Sequence, residues 1–497
     1  MGHGSGLSIR ERRADLAGAI GVLFAAFLFS LQCSNHLWHK GNVKTDSNVF
    51  YYVARVMLRG GMPYRDTFDH KGPLLYVLNV LGLRIAQWRG IWVIELFFIA
   101  GTFYLIYRTA RLLSGPLFSF FVVMAAGALL YEFFDGGNYS EEYALLFISG
   151  ALYIFADYFL NGTITNLRLL LCGGCFGAVL MLRPNMVAVW VVMCLGVLYH
   201  CIREKKVADL ARFLLFFIAG TLIVCVPFIV WLVINGAFSA FIDCYLTFNT
   251  LYTASTQGTM QTAYRVDALV HFMRYRILLI AACAAVVDSV RSKKLCSSLH
   301  AIFFFVTLIL LSISAESYDH YGIVMIPAIV YPLASIGRMI REDDHSASLR
   351  VYATLFFLPT LILPNWLEMT NKAFYDYATR DQTFFYMCDI EAGEIINTYS
   401  GPEDEILVCG NWDGLYNYTD RFSVSYYSYQ NMPCYLDPAR MQRFMQEVEA
   451  SEPKVIAMMD GCYVEKDIRN YAAANGYEEV FHKEYDGYST TILRKAE

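Results

Sequence analysis

Asp69-His70-Lys71-Gly72-Pro73-Leu74-Leu75-Tyr76 sets a carboxylate, an imidazole and an ammonium directly before a proline that opens an apolar run. Proline preceded by glycine both ends a loop and starts a helix, so the three polar side chains are expected at a helix N-terminus, where anions are favoured. Upstream, Thr45-Asp46-Ser47-Asn48 follows the first hydrophobic segment. An ionised side chain inside hydrocarbon costs roughly 2.5–3.5 kcal/mol on insertion scales, and a loop at the interface avoids that cost. The two stretches therefore place reactive groups beside a membrane, not within it.

The surrounding chain is lipid-soluble. Of 497 residues, 57% are hydrophobic and only 17% charged, and the mean hydropathy of +0.40 is that of a polytopic membrane protein, not of a soluble domain. Apolar runs recur as far as Trp366, and the remainder is polar with no run long enough to span. Two domains are expected, 1–370 in the membrane and 371–497 outside it. A net charge of -5 without a basic stripe argues against nucleic acid. The 13 cysteines are scattered without a metal-binding spacing, and Cys172-Gly173-Gly174-Cys175 reads as close helix packing through Gly173 and Gly177.

Spans are expected near 14–33, 91–110, 116–134, 142–160, 168–182, 186–202, 212–234, 269–288, 299–314, 321–337 and 350–366. The segment 73–88 is short, holds Asn79 and Arg84, and suits an interfacial helix better than a crossing. With a cytoplasmic N-terminus, this choice puts Arg108/Arg111, Arg168, Arg203/Lys205/Lys206, Arg291/Lys293/Lys294 and Arg338/Arg341 on the cytoplasmic side, as positive-inside bias requires. The fold is thus expected to be mainly α, with about eleven spans and interfacial helices in the first external loop. The external face receives Asp46, Asp69, His70, Lys71, Asn138, Glu141, Glu142, Arg265 and His320.

Each of these has a chemical reading and a plain one. Asp46, ahead of Phe50, Tyr51, Tyr52, Ala54 and Met57 on an amphipathic helix at the membrane surface, is either a general base for an acceptor hydroxyl or an N-cap. Lys71 is a phosphate anchor, with His70 beside it, or part of a solvated turn. In Asp135-Gly136-Gly137-Asn138-Tyr139-Ser140-Glu141-Glu142, the glutamates are first-turn acids or ligands for a sugar hydroxyl or a metal. Arg265 is a lipid-phosphate clamp or an interfacial arginine, while Arg274 and Arg276 read as snorkelling side chains. His320 faces the same cavity or the headgroup belt.

The C-terminal part alternates helical and extended patterns, with helices near 383–399, 437–449 and 464–475 and strands at Glu405–Cys409, Phe422–Tyr426, Lys454–Met459 and 489–493. A small α/β domain follows from that alternation. Gly410-Asn411-Trp412-Asp413-Gly414 lacks a phosphate-loop glycine pattern, and no Walker, GxGxxG, HExxH or GxSxG motif has the right context.

In the order Asp46, Pro63-Tyr64, His70-Lys71-Gly72-Pro73-Leu74, Gly137-Asn138 to Glu142, Asp319-His320-Tyr321 and Val324-Met325-Ile326-Pro327, the membrane part resembles the GT-C superfamily of integral membrane glycosyltransferases. The protein O-mannosyltransferase and aminoarabinose-transferase-like branch is the nearest in pattern. The resemblance implies that Asp46 corresponds to the first-loop catalytic acid and His70-Lys71-Gly72-Pro73 to the segment bordering the polyprenyl phosphate, with glycine here in place of that segment's first proline. It implies inverting transfer of a hexosyl or pentosyl unit from a polyprenyl-phosphate donor to a glycan, lipid or protein acceptor at the extracytoplasmic face of a bacterial plasma membrane. Asp69, Asn138, Glu141, Glu142, Arg265 and His320 fall to substrate and lipid-phosphate binding. No cofactor is demanded by the pattern, a divalent metal being compatible with it. A lipid-linked-glycan polymerase or flippase is the alternative class.

Overall fold

The computed structural model describes residues 9–39, 45–255, 261–313, 318–342, 358–380, 386–485 and 487–496. The chain forms two compact units, both discontinuous in sequence: Met1–His36, Trp92–Phe228 and Gln257–Ala378 make the first, and Leu37–Ile91, Ile229–Thr256 and Thr379–Glu497 the second.

The first unit is helical. Across the described residues seven helices are long and apolar enough to cross a membrane: Arg10–Ser30, Trp88–Arg111, Pro116–Phe133, Ser140–Asn161, Val207–Ile234, Leu295–Ser312 and Asp319–Glu342. Each coincides with an expected span, and the protein is an integral membrane protein. The expected count of about eleven spans is not confirmed among the described residues. Asn166–Leu180 and Ala188–Arg203 are shorter apolar helices, and the 15 residues of the former reach only ~22 Å at ~1.5 Å per residue. The span expected at 269–288 is broken: Arg265–Met273 and Arg276–Ser292 meet at a bend of 93°, so Arg274 sits at the break and Arg276 opens the following helix. Of the span near 350–366, residues 350–357 lie outside the described residues, and the helix is seen from Leu358 to Ala378.

Local chemistry sets these boundaries. Pro116 occupies the first turn after Gly115, and Gly162 ends Ser140–Asn161 in the left-handed conformation at φ 75°. Thr165 caps Asn166–Leu180 by accepting from Arg168 N at 3.3 Å. Asn166–Leu180 then packs closely on Val207–Ile234, as the glycines in it suggested. A Cβ at Gly173 would run into the Phe217 carbonyl and one at Gly177 would meet the Thr221 carbonyl at 2.9 Å, while Thr221 Oγ1 donates to Gly173 O at 3.1 Å. Basic residues at helix ends are paired: Arg111 with Asp15 at 2.6 Å, Arg168 with Asp157, and Arg338 with Asp288.

The second unit is built on a four-stranded sheet in the order β1-β2-β4-β3, where β1 is Leu407–Cys409, β2 Val455–Met459, β3 Tyr477–Tyr485 and β4 Tyr488–Lys495. β1 and β2 are parallel, and β4 runs antiparallel to both β2 and β3. Met387–Tyr399, Pro438–Ser451 and Glu465–Ala474 are the expected helices; residues 383–385 of the first lie outside the described residues. Two strand assignments need correction. Phe422–Tyr426 touches the sheet only by an isolated bridge, Ile406 to Ser423, and its last residue turns to the first-loop segment, Tyr426 Oη donating to Tyr64 O at 2.6 Å. β3 was not foreseen, since Glu478, Glu479, Lys483 and Glu484 give it the polarity of an exposed edge strand.

The first-loop helix Thr45–Leu58 forms as expected, but its apolar face is not left for a membrane surface. Tyr52 lies in one core with Ile406, Val408, Tyr416, Phe422 and Ile492. Arg55 donates to Tyr416 O at 3.0 Å and pairs with Asp420. Asp46 falls within the first turn of this helix, not at a cap position before it.

Candidate functional site

In the second unit, Pro73–Ala86 is the helix that Gly72-Pro73 predicts, with Gly72 extended at φ -75° and ψ 153°. The polar triplet is therefore held at its N-terminus. Asp69 is only 2% exposed. It accepts from Tyr76 Oη at 2.7 Å, from Tyr429 Oη at 3.0 Å and from His70 N at 2.8 Å. Burial raises its carboxyl above the usual range, against the opposing pull of Lys71 and these donors. The His70 ring shares a 2.8 Å hydrogen bond with Asn249 Oδ1, and Asn249 Nδ2 donates back to His70 O at 2.9 Å. Tyr64 Oη donates to Lys71 O at 2.7 Å. Tyr64 itself adopts φ 67°, a conformation costly for a side chain of this size and found where surroundings enforce it. Lys71 remains half-buried with its charge acting on Asp69.

A residue that the sequence reading passed over joins this group. Asp413, which opens the short helix Asp413–Thr419 after β1, is 1% exposed, and neither of its oxygens nor Ser428 Oγ has a hydrogen-bond partner of ordinary geometry. Its carboxyl is pushed up to about 7, by burial first and then by the like charges of Asp69 and Asp46. The same Asp46 charge acts on Tyr429. Asp413 thus feels the charges of Asp69 and Asp46, and Asp69 that of Lys71. Trp412 Nε1 donates to Asp389 at 2.6 Å, and burial lifts that carboxyl to about 6. The available signal for Asp413 was positional: loops at the carboxyl ends of parallel strands carry ligand chemistry in α/β sheets.

The remaining expected residues belong to the first unit. Gly136, Gly137 and Asn138 are consecutive left-handed residues at φ 85°, 82° and 62°, so two glycines and an asparagine fit where other side chains would be strained. Asn138 Oδ1 accepts from Tyr143 Oη at 2.8 Å, and Asn138 N donates to Glu142 at 2.7 Å. Glu141 is an ion-pair partner of Arg183, whose guanidinium lies 4.7 Å over the Tyr321 ring. Both glutamates occupy the first helical turn, yet they are buried, not solvated. Arg183 was missed from sequence, where Leu182-Arg183-Pro184 reads as a span end. His320 stacks on Tyr139 at 4.8 Å, and neighbouring Asp319 shares a 2.8 Å hydrogen bond with His271. Arg265 is half-buried in Gln261–Met273 with Nε lacking a partner. The structure thus gathers Asp46, Asp69, His70 and Lys71 in one unit, and Asn138, Glu141, Glu142, Arg265 and His320 in the other.

Residues 11–385 match the family profile described as "Putative competence-induced protein Ccs4 N-terminal domain". The chain belongs to this family. No curated protein matches it in sequence. In three dimensions this Ccs4-family chain is similar to ArnT from Cupriavidus metallidurans bound to undecaprenyl phosphate, with a TM-score of 0.60, 14% identity, and coverage of 95% of this chain and 97% of that one. The apo form of the same ArnT gives 0.50, 14%, 96% and 97%. The archaeal oligosaccharyltransferase AglB from Archaeoglobus fulgidus, in complex with an inhibitory peptide and a dolichol-phosphate, superposes at 0.49 with 13% identity, 97% of this chain and 74% of that one. The fold is that of the GT-C membrane glycosyltransferases, as the order of the sequence motifs implied.

Proposed function

We propose that this Ccs4-family protein is a glycosyltransferase that moves a monosaccharide from a polyprenyl-phosphate donor to an extracytoplasmic acceptor, with inversion. The observation that carries the reading is that Asp69, His70 and Lys71 precede the N-terminus of Pro73–Ala86 in the same unit as Asp46 and Asp413, with the Asp46 and Asp69 charges acting on Asp413. A similar fold in a protein crystallised with undecaprenyl phosphate adds support.

In this reading the acceptor hydroxyl gives its proton to Asp46 as its oxygen forms a bond to the anomeric carbon. The bond from that carbon to the phosphate oxygen breaks, and its electron pair leaves on polyprenyl phosphate. Lys71, His70 and the backbone N–H groups of the helix start stabilise the charge that grows on the departing phosphate. Asp413, half-protonated near neutrality, spares Asp46 a second full charge nearby. Asp69 is a positioning residue: its bonds to Tyr76, Tyr429 and His70 N fix the loop that carries Lys71.

The test is release of free polyprenyl phosphate from a labelled polyprenyl-phosphate sugar by the purified protein. Asp46→Asn is expected to lose ~10²–10⁴-fold in turnover, the range for a positioned acid or base, while Lys71→Ala raises the donor KM. Unchanged turnover in the Asp46 variant refutes the base assignment. Movement of intact donor across a vesicle membrane without carrier release identifies a flippase.

A further inference from the structure

Glu95, in the helix Trp88–Arg111, is absent from every motif above. It is fully buried and faces Glu142, itself 1% exposed, with the Cys33 thiol beside them. One ligand-type atom from each of Cys33, Glu95 and Glu142 lies within 4.8 Å of the others. Two facing carboxylates without a counter-ion are unfavourable in low dielectric, and no ion pair to either is present among the described residues.

The polar atoms around the pair are unsatisfied to an unusual degree. Neither Glu95 oxygen nor Glu142 Oε1 has a hydrogen-bond partner of ordinary geometry, although Asn35, Cys33 and Asn138 N lie near Glu95. Asn35 lies against Glu95, is fully buried, and has neither its amide oxygen nor its amide nitrogen paired in ordinary geometry. Buried polar atoms are nearly always partnered in native proteins, so five in one place indicate a missing ligand. The backbone is shaped for the cluster. Ser34 N donates to Gly136 O at 2.7 Å, joining the Cys33–Asn35 turn to the left-handed loop, and a Cβ on Gly137 would collide with the Glu95 carboxylate. A proton shared between the glutamates would satisfy one oxygen on each. With the Asn35 amide nitrogen turned to the other Glu95 oxygen, the Asn35 amide oxygen would still lack a partner.

We propose that Cys33, Glu95, Glu142 and the Asn35 amide oxygen bind a divalent transition cation of the zinc type. A thiolate with carboxylate oxygens suits Zn²⁺ over magnesium or calcium, which take all-oxygen shells. Bonds of ~2.0–2.3 Å in a tetrahedron put ligand atoms ~3.4 Å apart, so the side chains of the cluster close in on binding. The Cys33 proton leaves to solvent, and the bound cation ties the first span to Trp88–Arg111 and Ser140–Asn161. The site lies wholly within the first unit, and its standing does not depend on the transferase reading.

The experiment uses the full-length protein in detergent, stripped with a chelator, given Zn²⁺ and freed of excess metal. One zinc per chain by elemental mass spectrometry and a raised thermal midpoint are expected. Glu95→Gln/Glu142→Gln, isosteric and able to pair amide to amide, keeps a thermal transition but retains no zinc. Cd²⁺ substitution gives a thiolate charge-transfer absorbance that Cys33→Ser abolishes with the other twelve cysteines intact. Sub-stoichiometric zinc in the wild type, or equal zinc in the double variant, overturns the proposal and points to a shared proton or adventitious binding to other cysteines. Neither result bears on carrier release.

Discussion

Replacing Asp413 by asparagine should stabilise the protein at alkaline pH and leave it unchanged in acid. The carboxyl moves from an ordinary 3.8 to about 7 in the folded chain. In the unfolded chain it ionises near its ordinary value. Between the two, the folded form holds a proton that the unfolded form has lost, so stability falls as pH rises from about 4 and levels off above about 7. At ~1.4 kcal/mol for each pH unit, the full loss is ~4 kcal/mol. The substituted amide has nothing to ionise, and it fills the same space. Urea unfolding of the second unit, followed by near-ultraviolet circular dichroism in detergent, should give matching curves at pH 4. By pH 8 the variant should lead by ~4 kcal/mol. Because burial is the first cause and the Asp69 and Asp46 charges follow, adding Asp46→Asn should narrow the gap without closing it. A gap that is the same at pH 4 and pH 8, or one that favours the wild type at pH 8, refutes the account of Asp413 as a buried acid among like charges.

Arg183→Met takes the cation away from Glu141, which is 3% exposed at its side chain and keeps a hydrogen bond from Ser140 Oγ at 2.8 Å. The expected cost is ~3–5 kcal/mol, read as a lower thermal midpoint in detergent that Arg183→Met/Glu141→Gln partly restores. Gly173→Val drives Asn166–Leu180 away from the Phe217 carbonyl at a cost of ~1–3 kcal/mol, whereas Gly162→Asn, at a left-handed position with nothing within 4 Å, should change the midpoint little.

Features that depend on neighbours in sequence were legible in the sequence. Pro73 after Gly72 starts its helix on cue, seven apolar runs become helices of spanning length, and the alternation after residue 371 yields three of the four strands. Features that depend on distant neighbours were not. Asp413 looked like an undistinguished loop acid because Asp46 and Asp69 meet it only after a chain of more than 340 residues has folded back. Arg183 and Glu141 are 42 residues apart, and a basic residue at a span end is a topological commonplace. The 93° break after Met273 leaves no proline or glycine to mark it, so periodicity ran straight through Arg274-Tyr275.

The helix that carries Asp46 is completed by the far end of the polypeptide: Arg55 and the Tyr416 carbonyl it binds are 361 positions apart. At a ribosomal pace of ~5–20 residues per second, that partner emerges ~20–70 s after the helix itself. During that interval the Tyr52 face has no core to enter and lies open to the bilayer surface or to a chaperone. A message cut short before residue 400 would therefore yield a membrane protein whose Asp46 helix has never been anchored.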